Sequence, residues 1–268
     1  MNYPNVSLIC LITEEKYDKV KKILQGRQKM RVKVVDMKTN AQHYKTVDVI
    51  YNVNETDYAG RTALMWALLQ RQNEIALELL KQGAKLNVRD EYGLTPVSIC
   101  VCSRNYKGLK AILSEHCPTF NRMLVNEWYG SFKSTPLYSA VNRGYYRIAA
   151  LLLKAGADPN VINWEDNLPL VSPIAGSDTK MVHLLLKYDA RVDLTTRNGE
   201  DLLSFSLGNN FEEGHIVSKM LLAAELKYDG YKERLEKAYQ LAIKCNNTVM
   251  AEEILNVITD FPAPPKVA

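Results

Sequence analysis

Zinc requires four soft ligands at tetrahedral distance, and Cys100-Val-Cys102 with His116-Cys117 is the best-supplied candidate in this 268-residue chain. A competing reading is stronger. A buried free cysteine acts as a small hydrophobe, and Cys100 and Cys117 stand where small apolar residues stand elsewhere in the chain. Asp57, Asp90 and Asp166 precede helical patterns, where a carboxylate serves a turn by capturing backbone N–H groups. The four histidines, His43, His116, His183 and His215, share no spacing, and there is no glycine-rich phosphate loop, serine elbow or His-x-x-x-His. Acid–base, nucleophilic and metal chemistry all need groups that converge. The expectation is therefore no catalytic residue, no metal and no cofactor.

Aromatic residues are more telling. Asn126 to Ser134, NEWYGSFKS, has loop composition yet carries Trp128, Tyr129 and Phe132. Exposed rings in a loop are a liability unless the protein or a partner covers them.

The elements that position these rings are legible as a repeat. From Thr135, the stretch TPLYSAVNRGYYRIAALLLKAGADPN has Ala at +5, Gly at +9, Ile at +13, Leu-Leu at +17 and +18, Gly-Ala at +21 and +22, and Asn at +25. The same register fits from Thr62, Thr95, Leu168 and Asp201, at steps of 33, 40, 33 and 33 residues. This pattern resembles the ankyrin repeat. The resemblance implies an all-α repeat solenoid of about seven repeats, each a helix, a tight turn and a second helix, joined by β-hairpin loops. Small residues at +5 (Ala67, Cys100, Ala140, Ala242) let paired helices approach, and the Leu pair fills the inter-repeat core, each buried Leu contributing about 1.5–3 kcal/mol. Degenerate pairs from Val6 (Leu11, Val20, Ile23, Leu24) and from Lys237 (Ala242, Met250, Ile254, Leu255) read as caps, since an end repeat has a neighbour on one face only.

The chain departs from the family pattern in several places. Where the family usually has His after Thr-Pro-Leu, this chain has Met65, Ser98, Tyr138, Val171 and Ser204. Pro173 falls at the small +5 position, where it should kink or shorten the helix. Two insertions break the period. Between Arg27 and Asn52, MRVKVVDM and HYKTVDVIY alternate apolar and polar residues around Lys38 to Ala41, which predicts a β-hairpin near residues 30–51. The other insertion adds seven residues to the 33-residue step and falls in the stretch that carries NEWYGSFKS. The expected organisation is a single solenoid over 1–260, with caps at about 1–27 and 230–260, clear repeats at about 54–193, and a flexible Pro-rich tail at 261–268.

Composition is that of an ordinary globular protein, with 47% hydrophobic and 24% charged residues. No apolar run approaches the roughly 18–20 residues that span a bilayer. VSLICLI near the start lacks a basic leader and cleavage site, so it does not read as a signal peptide. Five cysteines without framework spacing fit a reducing compartment, hence a cytoplasmic expectation. A net charge of +4 is too weak to indicate nucleic acid. Residues 1–50 nevertheless hold ten Lys or Arg against five Asp or Glu, which is either a solvated helix face or a patch for an acidic partner.

In the ankyrin family, residues three and four before the Thr anchor project from the hairpin, and those at +4, +7 and +8 line the concave side of the first helix. The resemblance thus places Tyr58, Tyr92, Phe132 and Trp164 at tips, Trp128 and Tyr129 in the insertion, Arg197 after them, and Trp66, Asn142 and Arg143 on the concave side. Tyr, Trp and Arg dominate interface energetics, so these ten residues are the expected partner-binding set. Packing on neighbouring fingers is the competing expectation, strongest for Tyr58. The function expected is a non-enzymatic module, monomeric alone, that binds a folded protein through its hairpin fingertips and concave groove as an inhibitor or immunity-type protein. The alternatives are a bacterial effector or adaptor, or a regulatory subunit or enzyme with a groove site.

Overall fold

Three threonine hydroxyls set the starts of three helices. Thr62, Thr95 and Thr135 accept from the N–H groups of Met65, Ser98 and Tyr138 at 3.3, 3.2 and 3.1 Å, satisfying donors that a helix N-terminus leaves open. Asp201 does the same for Ser204 at 2.7 Å, so the loss of Thr-Pro in the fifth repeat leaves its cap intact. A computed structural model describes residues 7–25, 29–35, 42–48, 51–114, 117–130, 133–208 and 212–260. It divides into two compact units, Met1–Ser131 and Phe132–Ala268.

In the first unit the helices are α1 (Leu8–Thr13), α2 (Tyr17–Leu24), α3 (Ala63–Leu69), α4 (Asn73–Lys81), α5 (Pro96–Cys102) and α6 (Tyr106–Ile112). α3 packs between α1 and α5, and α4 between α2 and α6, giving two layers of stacked helices. Ile75, Leu79 and Leu80 fill the space between them. Asn105 joins neighbouring repeats: its side chain caps α6 at the Gly108 N–H and donates to the Leu68 carbonyl at 3.0 Å. A Cβ on Gly108 would lie 2.7 Å from both Asn105 Nδ2 and Leu68 Cδ2, so this close approach requires glycine.

The expected insertion hairpin is present as β1 (Lys29–Val35) and β2 (Gln42–Asp48), antiparallel, with Lys29 opposite Asp48 and Val35 opposite Gln42. Its proposed turn at Lys38 to Ala41 lies outside the described residues.

The second unit holds α7 (Pro136–Asn142), α8 (Tyr146–Lys154), α9 (Val171–Ala175), α10 (Thr179–Lys187), α11 (Leu202–Ser206), α12 (Glu212–Glu225), α13 (Tyr231–Lys244) and α14 (Thr248–Asp260). α9 has five residues where α7 has seven. Leu168 supplies no hydroxyl cap, and the helix begins late enough that Pro173 falls in its first turn, where a missing N–H costs nothing. α12 and α13 run to 14 residues each, longer than the repeat predicts.

Backbone conformation confirms the register. Position +9 is left-handed at Glu15, Arg71, Arg104, Gly144, Ser177 and Asn246, which aligns both caps with the central repeats. The terminal cap departs from expectation at Leu255. Its equivalents Leu80 and Leu153 are buried, but Leu255 is 41% exposed. The +18 residue faces the next pair of helices, and among the described residues none follows.

Candidate functional site

Four of the five anchors, all but Thr135, follow a tip built on the side chain five residues earlier, Asp57, Asp90, Asn163 or Thr196. Asp57 Oδ1 accepts from the N–H groups of Ala59 and Arg61, both at 2.9 Å. Asp90 Oδ1 accepts from those of Tyr92 and Leu94 at 3.0 and 2.8 Å. Both carboxylates therefore serve as turn formers, as their position predicts. Two residues before the anchor the backbone turns left-handed, at Gly60 and Gly93 in the first unit and at Lys133, Asp166 and Gly199 in the second. Asp166 is thus a turn residue as well.

In the first unit the second oxygens of these carboxylates tie the tips sideways. Asp57 Oδ2 accepts from Trp66 Nε1 at 2.8 Å, and Asp90 Oδ2 from Arg61 Nε at 3.2 Å. Arg61 lies 5.3 Å from the Trp66 ring centroid and 5.6 Å from that of Tyr92, within range for cation–π attraction. Burial works to raise the Asp57 carboxyl. Hydrogen bonds from Trp66 and from the backbone of Arg61 and Ala59, with the Arg61 charge, outweigh it and hold the group below its ordinary value. The result is a patch in which Tyr58 is 99% exposed and Tyr92 59%, with Trp66 half-buried beside them. Packing on neighbours does not cover Tyr58.

The insertion is fastened to the preceding tip by Arg89. This side chain donates to the Trp128 carbonyl at 2.7 Å, to the Gly93 carbonyl at 3.3 Å and to Glu127 Oε2 at 2.9 Å. Just upstream, a 3-10 helix over Arg122–Val125 buries Leu124 and Val125. Trp128 is 44% exposed. Tyr129 corrects the sequence expectation of a partner-facing ring: it is 8% exposed, with the Cys102 thiol 3.9 Å from its hydroxyl. A Tyr with a polar tip inside the fold supports the loop from beneath. Phe132 lies outside the described residues.

In the second unit, Trp164 is 52% exposed, and Asn142, Arg143 and Arg197 are exposed. Arg197 joins Tyr138, Asn167, Ser172, Thr196, Asn198 and Phe205 around a groove of about 330 Å³. Asn142, Arg143 and Trp164 do not line it. Burial, then the Glu165 charge, pushes the Tyr138 phenol up. The turn bases are neutral here: Asn163 accepts from the Glu165 and Asn167 N–H groups, and Thr196 from that of Glu200.

The cysteines do not assemble. Cys100 is fully buried, and burial pushes its thiol far up. Cys117 is buried beside Thr119, and His116 lies outside the described residues. Among the described residues no group of three or more His, Cys, Asp and Glu could hold a metal, and no helix is long and apolar enough to cross a membrane.

The family model described as ankyrin repeats in three copies matches residues 13–123, and that of the single ankyrin repeat matches 133–164. The chain belongs to the ankyrin-repeat family. Ankyrin repeats form modules for protein–protein interaction. NF-kappa-B inhibitor alpha of Gallus gallus is 30% identical over 178 residues, covering 65% of this chain and 55% of its own length. Ankyrin repeat protein L371 of Acanthamoeba polyphaga mimivirus is 25% identical over 182 residues, covering 64% of this chain and 23% of its own. The chain thus spans about a quarter to about half of these curated relatives. Among solved structures, EF0377, an ankyrin repeat protein, aligns with TM-score 0.61 over 83% of this chain and 98% of its own, at 20% identity, and shares the ankyrin fold.

Arg61 and Arg89 are the site residues that sequence reasoning missed. Their signal is weak because their partners lie in the next loop, about 30 to 40 residues on.

Proposed function

We propose that this chain is a non-enzymatic ankyrin module that binds a folded protein through its loop tips and concave face. Tyr58, Tyr92, Trp128 and Trp66 act from the first unit, and Trp164, Arg197, Asn142 and Arg143 from the second. The observation that carries this reading is the set of exposed rings at Tyr58, Tyr92 and Trp128 on loops whose backbone is held by Asp57, Asp90 and Arg89. Exposed aromatics lower affinity if they must be ordered on binding, and a fixed network removes that cost. Inhibition of an enzyme, by covering it, is the role we favour; one relative's printed name is that of an inhibitor. In this reading residues 1–260 act as one solenoid, monomeric and cytoplasmic, with a protein rather than a nucleic acid as partner.

The test is affinity capture with the intact chain and with a Trp128→Ala, Trp164→Ala double variant. Loss of the captured protein from the variant is expected. The same partner at the same yield would sink the proposal.

A further inference from the structure

The groove of about 330 Å³ in the second unit stands at repeat positions that carry a side-chain network in the first. One residue before the anchor, Arg61 has the counterpart Asn167. Four residues after it, Trp66 has Ser172, and five before the next anchor, Asp90 has Thr196. In the first unit these positions hold a cation, a ring and a carboxylate, with Arg61 Nε 3.2 Å from Asp90 Oδ2 and the guanidinium 5.3 Å from the Trp66 centroid. In the second they hold an amide and two hydroxyls. Thr196 Oγ1 accepts from the Glu200 N–H at 3.3 Å, and the Asn167 amide donates to Glu165 at 3.2 Å. The exchange of Trp66 for Ser172 removes a ring, and that of Asp90 for Thr196 removes a charge.

A cation is nevertheless present. Arg197 lines the groove beside Thr196 and forms no ion pair among the described residues. Its charge reaches the Tyr138 phenol, where it opposes that of Glu165. Tyr138 and Phe205 supply aromatic walls, and Ser172 and Asn198 supply donors. Apolar walls with a few placed polar groups are the usual make-up of a recognition site. Against its counterpart, the groove lacks one ring and one carboxylate. A single carboxylate neutralises Arg197 through charge-assisted hydrogen bonds, whereas a dianionic phosphoryl group would be repelled by Glu165 as well.

We propose that this groove receives an aspartate or glutamate side chain together with the aromatic side chain next to it, both from an exposed segment of a partner protein. The carboxylate meets Arg197, and the ring lies against Tyr138 and Phe205. The partner restores from outside the set that Arg61, Trp66 and Asp90 make from within. This inference rests on the reading of the second unit as a partner-binding surface, and adds the chemistry of the contact.

The probe is acetyl-Glu-Phe-amide, titrated into the intact isotope-labelled chain and followed by NMR. The comparison ligands are acetyl-Gln-Phe-amide, acetyl-Glu-Ala-amide, acetyl-Phe with a free carboxylate, and inorganic phosphate. Saturable shifts of the Ser172 and Asn198 signals are expected with a Kd of about 1 mM, and binding about fivefold weaker for each comparison ligand. Arg197→Gln should bring Glu-Phe down to the level of Gln-Phe. Ser172→Trp, which returns the ring that Trp66 supplies in the first unit, should block both, with thermal melting confirming that each variant folds. No saturable shift with Glu-Phe, equal binding of Gln-Phe, or an unchanged preference in Arg197→Gln would overturn the proposal. Tighter binding of acetyl-Phe or of phosphate would overturn it too. The Trp128→Ala, Trp164→Ala variant should bind Glu-Phe as before, since neither ring lines the groove. Undiminished partner capture by that variant sinks the fingertip reading. Failure of Glu-Phe to bind, with capture still lost in that variant, sinks only the groove.

Discussion

Two carboxylates, one in each unit, have side chains with no solvent exposure, and each is paired with an arginine. Asp90, at a loop tip of the first unit, faces Arg61; Glu225, at the end of α12 in the second unit, faces Arg234. Their surroundings differ. Asp90 spends one oxygen on two backbone N–H groups and the other on Arg61, so both oxygens are engaged. Glu225 receives Arg234 Nε at 2.9 Å on Oε2, and Oε1 meets no donor among the described residues. A buried charge contributes stability only when it is fully hydrogen-bonded. The first pair organises a loop tip, while the second ties α12 to α13 at a standing cost. Burial, ahead of the opposing Arg234 charge, raises the Glu225 carboxyl.

The comparison can be broken most forcefully at Arg234. Arg234→Ala leaves an uncompensated buried carboxylate and should lower the unfolding free energy by about 3 kcal/mol in urea titrations. Pairing it with Glu225→Gln should restore much of that loss. Asp90→Ala removes three hydrogen bonds and should cost about 2 kcal/mol. Asp90→Asn, which keeps the turn but sets an amide donor against Arg61 in place of an acceptor, should cost about 1.5 kcal/mol, with Tyr92 and Trp66 loosened, as tryptophan fluorescence would report.

The pH dependence should differ in sign between the two units. The folded state holds the Glu225 proton more tightly than the unfolded chain, so stability falls as pH rises from the ordinary value of 4.5 through the raised one. Asp57 is shifted down, so its contribution is complete above its ordinary value of 3.8 and is lost as pH falls through the lowered one. Melting temperatures between pH 3 and 7 should flatten on the higher side in Glu225→Gln and on the acid side in Asp57→Asn. The smallest effect belongs to backbone conformation. Asp166 adopts in the second unit the left-handed geometry that Gly60 and Gly93 adopt in the first. Asp166→Gly should stabilise by about 0.5–1 kcal/mol, measured by the same urea titrations.

What sequence revealed follows the same division. The helix starts at Thr62, Thr95 and Thr135, the turn bases at Asp57 and Asp90 and the insertion hairpin were all legible, because each depends on local spacing. Tyr129 was not, since whether a ring in a loop faces in or out depends on the Cys102 neighbourhood, 27 residues earlier. The Glu225–Arg234 pair escaped notice because α12 and α13 outgrow the repeat that served as the ruler. Arg61 and Arg89 were invisible for a related reason: a periodic pattern registers what recurs, and sideways ties between loops do not recur.

Arg89 gives the insertion a mechanical character. A partner gripping Trp128 and pulled away loads a backbone carbonyl that the preceding loop holds through Arg89, as well as the chain on either side. Tension at that ring is divided between covalent and noncovalent paths, so the insertion resists peeling as a braced strut does, and its yield point is set by a residue 39 positions away.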